Sequence, residues 1–127
     1  MNPEKVVFGF FIFWALSLNF GFFIGDIDNP AHHHAYELAA VIFVNLIATI
    51  LKFGDRSQMG ALLLASSLVA DLQLFGAAIV WGVAMNIEPI GMSAPVMASI
   101  VSLAGGAMLA NVISVLLLVT ETVTLRR

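Results

Sequence analysis

Apolar residues divide the chain into four long segments that short polar stretches separate. Each segment approaches the length needed to cross a hydrocarbon core of about 30 Å, which takes roughly 20 residues of helix. The pattern therefore predicts an all-α membrane protein, a bundle of four transmembrane helices in a single domain. The spans are expected at about residues 6–25, 30–52, 59–85 and 95–120.

The composition supports the membrane assignment. Hydrophobic residues make up 61% of the 127 residues and charged residues only 10%, whereas a soluble domain has about 25% charged residues. A soluble fold of this length could not bury so much apolar surface, so lipid is the expected solvent. No small-residue cleavage site follows a short apolar core, which predicts a retained first span and not a signal peptide.

The basic residues indicate how the spans are oriented. If four spans alternate, all five Lys and Arg residues fall on one side, and the opposite loops hold only acids and the three His. The positive-inside rule then places both termini in the cytoplasm. Five scattered basic residues form no nucleic-acid patch. They are Lys5, Lys52, Arg56, Arg126 and Arg127.

Small residues predict where helices approach each other closely. Gly21 and Gly25 form a GxxxG pair in the first span. In the fourth span a small residue recurs every four positions, and such patterns let helix backbones meet in membranes. We expect tight seams here, within the bundle or between subunits of a homo-oligomer. The recurring residues are Ala98, Ser102, Gly106, Ala110 and Ser114.

Asp71 lies near the middle of the third span, with no Lys or Arg at its depth. A carboxylate there costs about 2.5–3.5 kcal/mol on insertion scales, and such residues are often functional. It could bind a monovalent cation or carry a proton. Alternatively, it is a structural acid that fastens helices through hydrogen bonds to Ser67, Asn45 or Asn111.

Each span carries one inward-type amide or acid, and these residues could line a hydrated path together with Gln73. Asn45 is the best supporting candidate, because Thr49 and Lys52 extend its polar stripe at helical spacing. The alternative for a single amide is an interhelical hydrogen bond, worth about 0.6 kcal/mol on average. The predicted ion pathway comprises Asp71, Asn45, Asn111, Asn19, Gln73 and Ser67.

A polar cluster in the first outer loop has three interpretations. On a helix that begins at Pro30, His33 and Glu37 are i, i+4 neighbours, which suits Zn²⁺. The loop could instead sense pH through its histidines. Three adjacent His cannot all face one metal, so a simple polar turn is favoured over a divalent metal. The weak metal candidates are His33, His34, Glu37, Asp26 and Asp28.

No enzyme chemistry is predicted. The chain has no Cys, and no HExxH, Ser–His–Asp or phosphate-binding glycine pattern. No His lies within a span, which argues against haem. We expect no cofactor, beyond a possible monovalent cation.

The stretch GFFIGDIDNPAHHHAYELAAVIFVNLIATILKFGDRSQ resembles a family of short, functionally uncharacterised bacterial inner-membrane proteins. That resemblance implies a bacterial inner-membrane location and no activity. In size and span count the chain is also similar to small multidrug transporters and fluoride channels, but their motifs are missing. The first span lacks the essential acid of the transporters.

Three functions follow from these patterns. The first is an oligomeric cation channel or ion-coupled transporter subunit centred on Asp71. The second is a small accessory or structural subunit of a larger membrane complex, where a partner's basic residue meets Asp71. The third is a metal or pH sensor on the outer face, which uses residues 32–37.

Overall fold

The computed structural model describes residues 3–24, 35–55, 57–86 and 93–125, and these residues form four α-helices. Three of the helices, α1, α3 and α4, are long and apolar enough to cross a membrane. The predicted start of the second span at Pro30 lies outside the described residues. The helices are α1 (Pro3–Phe23), α2 (Ala35–Lys52), α3 (Gln58–Asn86) and α4 (Ala94–Leu125).

Serine residues cap two of the helices. The Gly60 N–H donates to Ser57 Oγ over 2.9 Å at the start of α3. Asp55 Oδ1 in turn accepts bonds from the Ser57 N–H at 2.9 Å and from its hydroxyl at 2.7 Å. At the start of α4, the Val96 N–H donates to Ser93 Oγ over 3.4 Å. These side chains satisfy donors that a helix N-terminus leaves unpaired, so they fix where the helices begin.

Neighbouring helices run antiparallel, and α4 also packs against α1, so the bundle closes on itself. The seam between α3 and α4 is the most extensive. Along it, Ser66 meets Ser114 whereas Gly76 faces Leu103, which gives the opposed chain directions. The up-and-down order places each of α1 and α3 between α2 and α4.

The interior contains two apolar clusters. The small apolar cluster lies toward the N-terminal end of α1, and the large apolar cluster lies toward the opposite end. The small cluster consists of Phe8, Ile12, Ala48, Leu63 and Leu118. The large cluster includes Phe22, Leu38, Val41, Leu74, Met97 and Ile100.

Large apolar side chains also cover the outside of the bundle. Phe10 is 59% exposed, Phe43 66% and Leu72 73%. Water would disfavour such a surface, whereas lipid tails are as apolar as these side chains. The exterior therefore fits contact with membrane lipid.

Candidate functional site

Asp71 lies at the seam between α2 and α3, where two neutral donors hold its carboxylate. Asn45 Nδ2 donates to Oδ1 over 2.7 Å, and the Thr49 hydroxyl donates to Oδ2 over 2.6 Å. Asn45 Nδ2 also lies 3.4 Å from the carbonyl oxygen of Ser67. The side chain of Asp71 is thus fixed from α2 by one amide and one hydroxyl.

The spacing of residues on α2 explains this arrangement. Asn45 and Thr49 are four residues apart, so their side chains lie on one helix face, one turn from each other. Both are buried, as are Val41 and Lys52 on the same stripe. Thr49 was absent from the predicted ion pathway, although its i, i+4 relation to Asn45 is visible in the sequence.

Within the described residues, no Lys or Arg forms an ion pair with Asp71. The nearest basic residue on α2, Lys52, pairs with Asp55 at 3.4 Å. Asp71 is only 7% exposed, so water contributes little to its solvation. A buried carboxylate normally needs a compensating charge or several hydrogen bonds. Among the described residues, Asp71 receives two such hydrogen bonds, both from neutral donors on α2.

Besides Gln73 Oε1, which faces Gly106, three buried oxygen atoms near this level of the bundle have no hydrogen-bond partner among the described residues. They are Asn45 Oδ1, Ser67 Oγ and Asn111 Oδ1. The hydroxyls of Ser66 and Ser114 are bonded to each other across α3 and α4. Because α3 and α4 are antiparallel, that contact brings Asn111, three residues before Ser114, to the level of Val69, between Ser67 and Asp71. We call these residues the polar layer: Asn45, Thr49, Ser66, Ser67, Asp71, Asn111 and Ser114.

The polar layer lies between the two apolar clusters. On α3, Leu63 of the small apolar cluster comes two turns before Asp71, and Leu74 of the large cluster comes one turn after it. An ion that approached from the end holding the large apolar cluster would have to pass that cluster, whereas on α2 the polar stripe continues from Thr49 to Lys52 toward the other end. In the described conformation the Asp71 carboxylate is therefore closed off from the large-cluster end of the bundle.

Asn19 and Gln73, two other residues of the predicted pathway, contact α4 and not Asp71. With its amide oriented to pair both atoms, Asn19 donates to Ala104 O at 3.0 Å and accepts from Met108 N at 3.1 Å. It therefore fastens α1 to the α4 backbone. Gln73 packs against Gly106 of α4, where a Cβ atom would overlap its amide. Asp71 and Gln73 thus face different helices.

The residues predicted to pack helices occupy different environments. A Cβ atom at Gly21 would lie 3.5 Å from Glu37 Oε2, so α1 approaches α2 there. Gly106 receives Gln73, and Ala110 is buried. Ser102 is exposed on the described part of the bundle, so it is not buried in a seam there. Gly25 lies outside the described residues.

Most of the weak metal candidates, Asp26, Asp28, His33 and His34, lie outside the described residues. Glu37 is described, and it is partly buried at the start of α2. Among residues 3–24, 35–55, 57–86 and 93–125, no group of three or more His, Asp or Glu is arranged to hold a metal ion. The metal hypothesis therefore stays a prediction.

A second group of charges lies at the end of the bundle that holds the α1 N-terminus, which we call the Lys5 end. Lys5 pairs with Glu121 at 3.0 Å. Lys52 Nζ lies 4.5 Å from the centre of the Phe8 ring, besides its contact with Asp55. The Ser57 hydroxyl and N–H, more than Lys52, lower the pKa of Asp55. A cleft that has Lys52, Asp55 and Glu121 in its lining opens here.

A protein family of unknown function, DUF6394, matches residues 32–122 of the chain. No curated protein matches the chain significantly, and neither does any solved structure. The matched segment contains all seven residues of the polar layer. The match covers more than half of the chain and confirms the expected resemblance to an uncharacterised family: the protein belongs to DUF6394.

Proposed function

We propose that this protein is a four-span protein of the bacterial inner membrane that binds a proton or a monovalent cation at Asp71. In this proposal it acts as an oligomeric, ion-coupled transporter or channel subunit. One observation carries the proposal: a buried carboxylate without a basic partner in the described residues lies in a layer with three unpaired oxygens.

The donor set suits a small cation. Carboxylate, amide and hydroxyl oxygens are ligands of hard cations, and the polar layer offers all three types. Asn45 Oδ1 and Ser67 Oγ are buried and have no hydrogen-bond partner among the described residues, so both remain available as ligands for an ion beside Asp71. A proton would serve the same electrostatic purpose, since a neutral acid could donate to the Asn45 amide oxygen.

Closure toward one end favours ion-coupled transport over a permanently open pore through a single chain. A pore must admit and release its ion without a large rearrangement. Here the large apolar cluster separates Asp71 from one end of the bundle, while the polar stripe of α2 continues toward the other. Transporters that work by alternating access bind their ions at mid-membrane and open to one side at a time.

The structure of α2 supports counting this helix as a membrane span in addition to α1, α3 and α4. Its 18 residues extend about 27 Å at 1.5 Å per residue. Asn45, Thr49 and Lys52 are buried, whereas Phe43 and Ile50 are each 66% exposed. A helix with polar residues inside and apolar residues outside is suited to lipid. With four spans, the distribution of the basic residues supports a cytoplasmic location for both termini.

Cation-dependent stability of the purified protein tests the proposal. Melting of the detergent-solubilised chain is followed at increasing Na⁺, K⁺ or Li⁺, with choline keeping the ionic strength constant, and across pH. A ligand at 100 times its Kd stabilises a protein by about 2.7 kcal/mol. We expect a selective rise in melting temperature in the wild type or an Asp71-dependent pH response.

Asp71→Asn should lose that response, and Glu37→Gln, which removes another helix carboxylate, should keep it. Proteoliposomes then report cation or proton flux, which should fall in the Asp71→Asn variant and persist in Glu37→Gln. Equal responses and equal flux in wild type and Asp71→Asn would exclude Asp71 from the mechanism.

A second candidate, the accessory subunit, is favoured by the tight hydrogen bonding of Asp71 to α2. In that role the polar layer only fastens helices. Purification from native membranes decides between the two. A stable partner in fixed stoichiometry supports the accessory role, whereas a homo-oligomer with cation-dependent stability supports the transport role.

A further inference from the structure

Lys52 on α2 carries a buried ammonium group one helical turn beyond Thr49. The residue is 7% exposed. Its Nζ lies 3.4 Å from Asp55 Oδ2 and 4.5 Å from the centre of the Phe8 ring. An ion pair at 3.4 Å and one cation–π contact hold the ammonium without enclosing it in strong hydrogen bonds.

Lys52 lies on the same face of α2 as the residues that bind Asp71. Its backbone is three residues past Thr49, which corresponds to about 4.5 Å along the helix axis. Side chains on a helix lean toward its N-terminus, and for α2 this is the direction of Thr49 and Asp71. Asp55 instead draws the flexible Lys52 chain toward the Lys5 end.

We propose that Lys52 is a tethered cation that competes with the transported cation for Asp71, and that Asp55 holds it away from the site. This inference rests on the proposed cation site. When Asp71 is empty, the ammonium moves along the stripe toward the carboxylate. A cation that binds at Asp71 repels it back to Asp55 and Phe8. The Lys52–Asp55 pair thus sets the cation affinity of the Asp71 site.

A structural role for Lys52 predicts a different outcome. If the Lys52–Asp55 pair only joins α2 to the turn before α3, removing either partner lowers stability and leaves cation affinity unchanged. If Lys52 competes, its removal strengthens cation binding, and removal of Asp55 weakens it. Opposite shifts of affinity therefore separate competition from simple fastening.

The experiment measures the apparent Na⁺ affinity of the full chain, from melting temperature against Na⁺ concentration at constant ionic strength. A unit charge about 10 Å from the ion, at an effective dielectric of about 20, changes affinity roughly tenfold. Lys52→Gln should bind Na⁺ about tenfold more tightly, and Asp55→Asn about tenfold more weakly. The double variant should resemble Lys52→Gln, because Asp55 acts through Lys52.

Two controls isolate the effect. Ser57→Ala removes the cap beside Asp55 but no charge, so stability should fall while Na⁺ affinity stays the same. Lys5→Gln removes a Lys at the same end that pairs with Glu121 on the α1–α4 side. We expect it to change the affinity by less than Lys52→Gln does.

The outcomes distinguish this inference from the proposed function. Equal or same-direction changes of affinity in Lys52→Gln and Asp55→Asn overturn the competition, while an Asp71-dependent response keeps the cation site. A response in Lys52→Gln that the wild type lacks supports the competition, because the tethered ammonium then fills the wild-type site. Absence of a response to Na⁺ in both chains contradicts both proposals for this ion, and the same series in K⁺, Li⁺ and pH extends that result to the other candidates.

Discussion

Replacing Thr49 with Val tests whether a hydroxyl on α2 stabilises an ionised Asp71. Val keeps the shape of Thr and removes its donor. The Thr49 hydroxyl lies 2.6 Å from Asp71 Oδ2 and 3.0 Å from the backbone carbonyl oxygen of Asn45, one turn earlier on α2. It carries one proton, and the shorter of the two distances assigns that proton to Asp71.

Thr120→Val is the matched control. Thr120 on α4 is exposed, and its hydroxyl donates to the Leu116 carbonyl over 2.8 Å, so its bond stays within its own helix. A hydrogen bond to a charged group contributes about 1.5–3 kcal/mol, whereas interhelical bonds in membranes average about 0.6 kcal/mol. We therefore expect Thr49→Val to cost about 1–2 kcal/mol more than Thr120→Val.

The assay is reversible unfolding in mixed micelles at increasing dodecyl sulfate, followed by helical circular dichroism. In an Asp71→Leu background the excess cost of Thr49→Val should shrink below about 0.5 kcal/mol, because the acceptor is gone. Equal costs for Thr49→Val and Thr120→Val in the Asp71 chain would refute the assignment of this bond.

Two further predictions concern packing and pH. Gly105→Ala should destabilise the bundle by about 1–3 kcal/mol, because the new Cβ atom would lie 2.8 Å from the Phe23 ring. Gly82→Ala is the control and should not destabilise it, because a Cβ atom there has no neighbour within 4 Å. Similar melting temperatures for the two variants would contradict the described α1–α4 contact. The lowered pKa of Asp55 means that its bonds to Ser57 stabilise the fold above the ordinary Asp pKa of 3.8 and are lost as the pH falls through the lower folded value. The difference in unfolding free energy between wild type and Ser57→Ala should thus be constant near neutral pH and become smaller below about pH 4. A difference that grows in acid would contradict a lowered pKa of Asp55.

The sequence predicts much of the fold because apolar periodicity and length are local properties. The predicted third span at residues 59–85 lies within α3, Gln58–Asn86, and the predicted fourth at 95–120 within α4, Ala94–Leu125. The second span was predicted to begin at Pro30, and residues 30–34 lie outside the described part of the chain, in which α2 begins at Ala35.

The partners of the polar side chains were harder to predict. Helical spacing shows that Asn45 and Thr49 share a face, but it does not give the register of α2 against α3. Asn19 illustrates the problem, because its amide binds the α4 backbone and no sequence pattern marks a backbone acceptor. Register depends on how whole helix surfaces fit together, and that fit involves both apolar clusters.

Infrared difference spectroscopy of the Asp71 carboxyl group tests the central claim most directly. The purified chain is exchanged between choline and Na⁺, K⁺ or acidic buffer, and wild type is compared with Asp71→Asn. A cation or proton bound at this residue predicts a change in the carboxylate bands of the wild type that the variant lacks. Identical difference spectra from the two chains in every buffer would contradict a cation or proton site at Asp71.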